Sequence, residues 1–290
     1  FDMPKNQSSI IKVIGVGGGG SNAVNHMFRQ GIKGVDFIIC NTDAQAMESS
    51  PVPTKIQLGE KGLGAGSIPS VGKEAATQKM DQIREILEKN TQMLFITAGM
   101  GGGTGTGSAP VVAEIAKKLG AIVTCMVSTP FNVERARLVK ADEGLDKLRV
   151  TADSTVVLDN NRLLEFVPNL PINQAFSVMD QLVAETVKGI SETISIPSLI
   201  NLDFADMKAV MDSGGLSVML WGEADEDAGV DTGDGSGQIA QVLLRCALVG
   251  AEMALVFAGK GGAKVVFQQT GGTHDQRLFA DLLQQAAQLF

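Results

Sequence analysis

The sequence predicts an α/β protein with a Rossmann-like parallel sheet, a long central helix after it, and a smaller α+β domain at the end. Apolar, strand-like runs alternate with helical patterns through the first two thirds of the chain. Two glycine clusters directly follow such runs, in GVGGGGSNAV (residues 15–24) and TAGMGGGTGTGSAP (residues 97–110). Ligands of parallel sheets bind at the carboxyl ends of the strands, so these clusters are the first candidates for a functional site.

The order of strands and helices predicts the parallel sheet. Continuous apolar runs are typical of strands buried on both faces, and helical patterns between them supply the crossover connections. The predicted strands are residues 10–16, 35–40, 93–98, 121–129 and 155–161, and the predicted helices are residues 22–31, 72–90, 109–120 and 134–148.

A long helix is predicted over residues 172–194, because apolar residues recur there at spacings of three and four. A helix of this length spans roughly 30 Å and can connect two lobes. We therefore expect a sheet domain over residues 1–171, a connecting helix over 172–195 and a second domain over 196–290. The apolar stripe of the helix consists of Phe176, Met179, Val183, Val187, Ile190 and Ile194.

The second domain is predicted to contain both helices and strands. Its strands fall on three apolar runs, and its helices on segments with helical spacing. The strands are residues 216–221, 253–258 and 263–269, and the helices are residues 203–211, 237–249 and 275–289.

Composition excludes several classes of protein. The net charge is −8 and no Lys/Arg cluster with interleaved aromatics occurs, which argues against nucleic-acid binding. No apolar run reaches the roughly 18 residues that span a bilayer, which argues against direct membrane insertion. Cys40, Cys125 and Cys246 lie far apart in apolar surroundings, as buried thiols of a reducing compartment do. We expect a cytoplasmic protein, and neither His26 nor His274 has the spacing of a metal ligand.

The first glycine cluster matches the pattern GxGxxG at Gly15, Gly17 and Gly20, between a strand and a helix. This pattern is a weak dinucleotide signal, because glycines let the backbone approach a phosphate at a helix N-terminus. A tight strand-to-helix turn explains the same residues without a ligand. Asp43, at the end of the second strand, suits either a ribose hydroxyl or a turn.

The second glycine cluster favours a triphosphate over a dinucleotide. Residues 101–107 contain no lysine, so the cluster is not a Walker P-loop. Thr104 and Thr106 offer hydroxyl groups among consecutive amides, which suits a terminal phosphate with a metal ion. Two glycine loops at neighbouring strand ends could hold one triphosphate from both sides. A flexible hinge is the alternative for this segment.

Several motifs together resemble one family. GGGTGTG at residues 101–107 is the tubulin signature, and it stands with IKVIGVGGGGSNAVN, NTDAQA, GLGAGS, NRLLE and NLDFAD. Their order and spacing over about residues 10–215 resemble the FtsZ branch of the tubulin family. The first part is similar to bacterial members and the part from STPFNVERARL to NLDFAD is similar to archaeal ones, so a composite chain is one interpretation.

The resemblance implies a tubulin-like GTPase that binds GTP or GDP with Mg²⁺ and polymerises head to tail with copies of itself. It implies that Asn22 reaches toward the base, that Phe176 stacks on guanine and that Asp180 accepts the hydrogens of its N1 and N2. The implied nucleotide-binding residues are Gly17, Gly18, Gly19, Gly20, Ser21, Asn22, Asn41, Asp43, Ala65, Gly66, Gly101, Gly102, Gly103, Thr104, Gly105, Thr106, Gly107, Pro130, Glu134, Arg137, Asn160, Phe176 and Asp180.

Two aspartates in NLDFADMKAVM are the implied catalytic residues. By themselves, Asp203 as a helix N-cap and Asp206 in the first turn need no catalytic role. The resemblance implies instead that both orient or activate the water that attacks the GTP of the next subunit, and that Asn201 helps to position their loop. Phosphoryl transfer depends mainly on positioning and charge neutralisation, which a partner's carboxylate can supply.

The resemblance also implies a role in cell division, with other division proteins as partners at the division site. The second domain is expected to be shortened by two strands, and the tail that recruits membrane-tethering partners is expected to be absent. One alternative is a GTP-binding protein that neither assembles nor hydrolyses GTP efficiently. A second alternative is an NAD-dependent oxidoreductase that uses the first GxGxxG.

Overall fold

A computed structural model describes residues 9–162, 171–195, 216–221, 253–259 and 262–269. The chain divides into two compact units, residues 1–192 and 193–290. Each unit is described by itself below. No helix in the described ranges is long and apolar enough to cross a membrane.

The first unit is built on a six-stranded sheet in the order β3-β2-β1-β4-β5-β6. All neighbouring strands run parallel, and Ile11 pairs with Val35 on one side of β1 and with Met93 on the other. This confirms the predicted parallel sheet. The strands are β1 (Ile11–Val16), β2 (Val35–Asn41), β3 (Thr54–Gln57), β4 (Met93–Gly99), β5 (Ile122–Thr129) and β6 (Ser154–Asp159).

Helices connect the strands of this sheet and cover it. The central strands β1 and β4 are buried almost throughout, which is why their sequences are continuous apolar runs rather than alternating ones. The helices are α1 (Gly17–Gln30), α2 (Ala44–Glu48), α3 (Pro69–Gln78), α4 (Met80–Glu88), α5 (Thr104–Lys118), α6 (Ala136–Thr151) and α7 (Ile172–Ser195), with a 3₁₀ turn at Asn132–Glu134.

The structure corrects five details of the predicted elements. The first is that α1 begins at Gly17, inside the first glycine cluster, rather than at residue 22. The short elements α2 and β3 were not predicted, and the helix predicted over residues 72–90 is two helices. They meet at Lys79, whose backbone (φ −110°, ψ 17°) leaves the helical region. Helix α5 begins at Thr104, inside the glycine signature, rather than at residue 109. Part of GGGTGTG is therefore the first turn of a helix and not a loop.

The long helix α7 agrees with its prediction. Met179, Val183, Val187 and Ile190 of the apolar stripe are buried, as a helix packed along one face requires. Phe176 differs, because 39% of its surface is exposed. The first turns of α7 therefore present an aromatic ring where the pattern alone predicts a core residue.

The second unit contains a three-stranded antiparallel sheet in the order β7-β9-β8. Its strands are β7 (Leu216–Trp221), β8 (Met253–Gly259) and β9 (Gly262–Gln269), which confirms all three predicted strands. The helices predicted over residues 203–211, 237–249 and 275–289 lie outside the described residues, as does Cys246.

Val187→Ala tests whether the buried stripe of α7 holds the first unit together. Val187 is fully buried, so its truncation leaves a small cavity and is expected to lower the free energy of unfolding by about 1–3 kcal/mol. Leu182→Ala is the matched control, because Leu182 lies on the same helix with 50% of its surface exposed, and should cost under about 0.5 kcal/mol. Urea unfolding of both variants measures the difference; equal losses would contradict the packing described here.

Candidate functional site

The candidate site lies where the strand order reverses. Strands β2 and β3 lie on one side of β1, and β4, β5 and β6 lie on the other. In such sheets a crevice opens between the two strands from which the chain departs in opposite directions. Here these strands are β1 and β4, and each is followed closely by a glycine-rich helix start, α1 after β1 and α5 after β4.

The two helix starts lie unusually close to the strand ends. A side-chain carbon at Gly20 would lie 2.1 Å from the carbonyl oxygen of Thr97, and one at Gly105 would lie 2.4 Å from that of Gly99. Both distances are far below van der Waals contact, so only glycine permits this approach. Glycine at these two positions is explained by packing within the protein.

Neither helix start is capped by a side chain. The N-cap residues Val16 of α1 and Gly103 of α5 make no side-chain hydrogen bond to their helix, and neither first turn contains an acidic residue. The first N–H groups of an α-helix have no partner within the helix, and they carry a partial positive charge. Two adjacent, uncapped helix N-termini are suited to an anion.

The part of the chain that the structure describes gives no packing reason for glycine at positions 18 and 102. Among the described residues, no atom would lie within 4 Å of a side-chain carbon at either position. Neither residue has a positive φ angle, so an L-amino acid would fit there without backbone strain. The space beside the backbone is open at both residues, and each glycine cluster contains one of them. Glycine at these positions is therefore best explained by a ligand that needs this space.

A cavity of about 200 Å³ continues from the start of α1. It is bounded by residues of α1, by the carboxyl ends of β4, β5 and β6, by Asn160 and by α7. Asn160 Oδ1, in the lining, is buried and has no hydrogen-bond partner among the described residues, and the same is true of Ser21 Oγ in α1. Buried polar atoms are rarely left unpaired, so these two mark places where a ligand's polar groups could bind. The lining residues are Gly19, Gly20, Asn22, Ala23, Thr97, Ala98, Met126, Ser128, Leu158, Asn160, Phe176, Met179, Asp180 and Val183.

One turn of α7 presents an aromatic ring and a carboxylate to this cavity. Phe176 and Asp180 are four residues apart and therefore on one helix face. The Phe176 ring lies 5.8 Å from that of Phe131, centroid to centroid, in a tilted arrangement. Burial raises the pKa of Asp180 to about 6, and the nearby His26 opposes this effect. A planar ligand with N–H groups on one edge would match this pair.

Hydrogen bonds fix the loops around the second glycine cluster. The hydroxyls of Thr42 and Thr104 hydrogen-bond each other at 2.6 Å. The Thr106 hydroxyl is buried and accepts a 2.8 Å hydrogen bond from the Gly101 N–H. Of the two threonines in the cluster, Thr106 therefore braces its own loop, and Thr104 lies closer to the surface.

Comparisons with known proteins agree with this geometry. Residues 10–168 match the model of the Tubulin/FtsZ family, GTPase domain. The cell division protein FtsZ of Haloferax mediterranei is 42% identical over 276 residues, which are 94% of this chain and 72% of that protein.

The chain belongs to the tubulin/FtsZ family.

Two further relatives support this assignment. Cell division protein FtsZ 2 of Halobacterium salinarum is 59% identical over 219 residues, which are 74% of this chain. That match spans 56% of the Halobacterium protein, so the chain represents little more than half of this relative's length. A solved dimer of FtsZ from M. jannaschii superposes with a TM-score of 0.70 at 44% identity, covering 77% of this chain and 66% of the other.

The FtsZ-family fold brings part of the predicted site together. Six of the predicted nucleotide-binding residues line the cavity, and they come from three separate segments of sequence. These residues are Gly19, Gly20, Asn22, Asn160, Phe176 and Asp180.

Other predicted residues lie apart from the cavity or support it. Asp43 accepts a hydrogen bond from the Ala46 N–H and caps α2, which is the turn role that the sequence left open. Asn41 is buried and accepts from the Asp43 N–H. Glu134 pairs with Arg137 at 2.7 Å, and Asn201, Asp203 and Asp206 lie outside the described residues.

The remaining predicted residues surround the second glycine cluster. Ala65 packs against Gly103, since a side-chain carbon at Gly103 would lie 2.8 Å from the Ala65 methyl group. Gly66 has a positive φ of 55°, and Pro130 contacts Gly101. These contacts join the GLGAGS loop and the end of β5 to the start of α5.

Several lining residues were missed by sequence reasoning. Most are apolar or hydroxyl residues, for which the sequence pattern predicts a place in the core. Many lie at the carboxyl ends of predicted strands, and that position could have identified them as lining residues. The missed residues are Ala23, Thr97, Ala98, Met126, Ser128, Leu158, Met179 and Val183.

Asp180→Asn tests the electrostatic state of the cavity. Because burial raises the pKa of Asp180 to about 6, its ionised form destabilises the nucleotide-free fold above that pH and not at acid pH. The amide should therefore raise the free energy of unfolding at neutral pH by about 1–2 kcal/mol, a gain that disappears as the pH falls through 6 toward 4. Urea unfolding across this range measures it.

Asp142→Asn is the control for the loss of a charge, since Asp142 lies on the exposed face of α6. It should produce no comparable gain. A stability difference for Asp180→Asn that stays constant with pH would contradict the buried-carboxylate account.

Proposed function

We propose that this chain binds a guanine nucleotide, with its phosphates at the starts of α1 and α5 and its base in the cavity beside α7. The observation that carries the proposal is the open space beside Gly18 and Gly102, at two uncapped helix N-termini. Backbone N–H groups and helix dipoles suit phosphate, and the absence of side chains lets phosphate oxygens reach them. Membership of a family described by its GTPase domain supports GTP and GDP as the ligands.

The cavity beside α7, where the base is proposed to bind, contains groups that match guanine. The exposed face of Phe176 can stack on a purine, and an ionised Asp180 can accept two hydrogen bonds from the N1 and N2 groups of guanine. Asn160 Oδ1 offers an acceptor to which no group in the described ranges donates a hydrogen bond. Of these groups, the ionised Asp180 favours guanine over adenine, because the corresponding edge of adenine has an acceptor at N1.

Mg²⁺ is proposed to enter the site with the nucleotide. This ion usually binds through one or two protein ligands, substrate phosphates and water, rather than in a cage of side chains. Among the described residues, no group of three His, Cys, Asp or Glu could hold a metal ion. Thr104, the first residue of α5, is proposed to offer its hydroxyl to this ion.

Gly18→Ala tests the phosphate site without disturbing the fold. The added methyl group has no described protein atom within 4 Å but fills the space proposed for phosphate, so GDP affinity should fall at least about tenfold. Alanine in a helical first turn should leave stability equal or raise it by about 0.5 kcal/mol. Calorimetric titration with GDP and urea unfolding measure the two quantities.

Two companion variants complete this experiment. Gly102→Ala should behave like Gly18→Ala, because its space is equally open. Gly20→Ala should instead lose stability, since its methyl group would overlap the Thr97 carbonyl. Normal GDP affinity in both Gly18→Ala and Gly102→Ala would refute the proposed phosphate site.

We further propose that GTP is hydrolysed between subunits of a head-to-tail polymer. The carboxylate lining the described cavity is Asp180, which lies at the base end. Hydrolysis would need carboxylates near the phosphates. We propose that Asp203 and Asp206 of the next subunit supply them and that Asn201 positions their loop. The solved dimer of the M. jannaschii relative supports self-association, and the names of the relatives support a role in cell division, with other division proteins as partners at the division site.

Mixing two inactive variants tests hydrolysis between subunits. Asp206→Ala should bind GDP normally but lose turnover. Gly18→Ala keeps its aspartates and should bind little nucleotide when the GTP concentration is held well below its weakened Kd. In a head-to-tail contact, GTP held by the first variant meets the intact acids of the second. An equal mixture should therefore regain up to about a quarter of the wild-type rate by random pairing.

Phosphate release by each variant alone and by the mixture measures this effect. The wild-type rate should also rise faster than linearly with protein concentration. Strict proportionality to concentration, together with no recovery in the mixture, would favour a GTP-binding protein that does not assemble.

A further inference from the structure

We infer that Thr42 is a positioning residue for the proposed phosphate site, and that it acts through the hydroxyl of Thr104. Sequence reasoning assigned no role to Thr42, although it lies between two predicted nucleotide-binding residues, Asn41 and Asp43. Its effect on binding rests on the proposed guanine-nucleotide function, whereas the pair of hydroxyls can be tested without any nucleotide.

The side chain of Thr104 lies where the two helix starts meet. Thr104 is the first residue of α5. A side-chain carbon at Gly17, the first residue of α1, would lie 3.3 Å from Thr104 Cβ and 2.9 Å from the Gly105 nitrogen. Thr104 is also partly exposed, whereas Thr106 in the same glycine cluster is buried. Of the two hydroxyls in the cluster, that of Thr104 is therefore the one that a phosphate between α1 and α5 could reach.

Thr42 holds the Thr104 hydroxyl in place. It directly follows β2, and only 4% of its surface is exposed. Its Oγ1 lies 2.6 Å from Thr104 Oγ1, although the two residues are 62 positions apart in the chain. Rotation of either side chain would break this hydrogen bond, and little solvent reaches Thr42 to replace it. The contact therefore fixes the position of the Thr104 oxygen beside the two helix starts.

The backbone around Thr42 is itself held by hydrogen bonds. The Thr42 carbonyl oxygen accepts a 3.0 Å hydrogen bond from the Gly64 N–H, and the Ala44 N–H donates a 3.1 Å hydrogen bond to the Gly62 carbonyl. Thr42 also continues directly from a strand of the parallel sheet. A side chain on such a fixed backbone can position a neighbouring group precisely, which a side chain on a mobile loop cannot do.

A bound phosphate determines how the two hydroxyls share their protons. The contact by itself allows either hydroxyl to be the donor. A hydroxyl has one O–H donor and two lone pairs, and the oxygens of an ionised phosphate only accept. Thr104 must therefore direct its O–H at the phosphate, and Thr42 must donate its own O–H to Thr104 Oγ1. The second lone pair of Thr104 stays free for the proposed metal ion.

Thr42→Val removes the donor and keeps the branched shape of the side chain. Without that donor the Thr104 oxygen is no longer held, so GDP affinity should fall about threefold to tenfold, the range expected for one neutral hydrogen bond. Thr42→Ser keeps the hydroxyl and should bind GDP within about twofold of the wild type. Thr151→Val is the matched control, because it removes an exposed hydroxyl that binds the Lys147 carbonyl at the end of α6, and it should leave GDP affinity unchanged.

A double-mutant cycle with Thr104→Val shows whether Thr42 acts through Thr104. Thr104→Val should weaken GDP binding at least as much as Thr42→Val, because it removes the group that meets the phosphate. In the Thr104→Val background, Thr42→Val should cost no more than about twofold in GDP affinity. Calorimetric titration of the four proteins with GDP measures this. A merely structural role of Thr42 would lower the affinity by the same factor with or without the Thr104 hydroxyl, and that result would overturn the inference.

Urea unfolding of the same four proteins without nucleotide tests the pair of hydroxyls by itself. Each single variant leaves one hydroxyl without its partner, so the urea midpoint of the double variant should fall by less than the sum of the two single losses. Midpoint losses that simply add would show that the two hydroxyls do not interact, and would overturn the role of Thr42 whatever the protein binds.

The two arms separate the failure of each claim. If the wild-type chain binds no GDP, the guanine-nucleotide function is refuted, while non-additive urea midpoints still support the Thr42–Thr104 pair. Wild-type GDP affinity in Thr42→Val overturns the role of Thr42 alone and leaves the guanine-nucleotide function standing. If Thr42→Val fails to fold, Thr42→Ala removes the same hydroxyl and takes its place in the cycle.

Discussion

The starts of α1 and α5 lie so close to strands β1 and β4 that no side-chain carbon fits between them. This approach at Gly20 and Gly105 brings two uncapped helix N-termini to the same crevice in the sheet. A β-carbon at either glycine would force its helix start away from the strands. The position of the candidate phosphate site therefore depends on a steric constraint more than on any individual hydrogen bond.

The opposite end of the site depends on α7. Its buried stripe, including Val183 and Val187, fixes the helix along one face, while Phe176 and Asp180 remain available to the cavity. Leaving a carboxylate in a partly buried place costs stability at neutral pH, as its raised pKa indicates. Such a cost is typical of functional positions, where a residue that serves function lowers the free energy of unfolding.

The sequence predicted most elements of the sheet because its strands are continuous apolar runs with glycine at their ends. The prediction failed for elements of only four or five residues and for a helix start whose glycines are also typical of a loop. The four-residue strand β3 carries one buried apolar residue, Ile56, and α2 is too short for periodicity. The start of α5 was missed because glycines at residues 105 and 107 are poor helix formers, and packing overrides that propensity here.

Prediction of the site was limited because several of its contacts leave no local pattern in the sequence. The glycine clusters and the Phe176–Asp180 pair could be found from spacing and family resemblance. The hydrogen bond between the hydroxyls of Thr42 and Thr104 joins residues far apart in the chain and has no local pattern. Likewise, Gly18 and Gly20 are indistinguishable in the run GGGG, yet one faces open space and the other a carbonyl oxygen. Only the three-dimensional arrangement separates these roles.

Amide hydrogen exchange of the whole chain, with and without GDP, tests the central claim most directly. If the two helix starts form one phosphate site, GDP should slow exchange in residues 17–22 and 102–107 together, whereas ADP at the same concentration should slow them much less. Protection of only one glycine segment, or equal protection by both nucleotides, would contradict a shared guanine-nucleotide site at the reversal of the sheet.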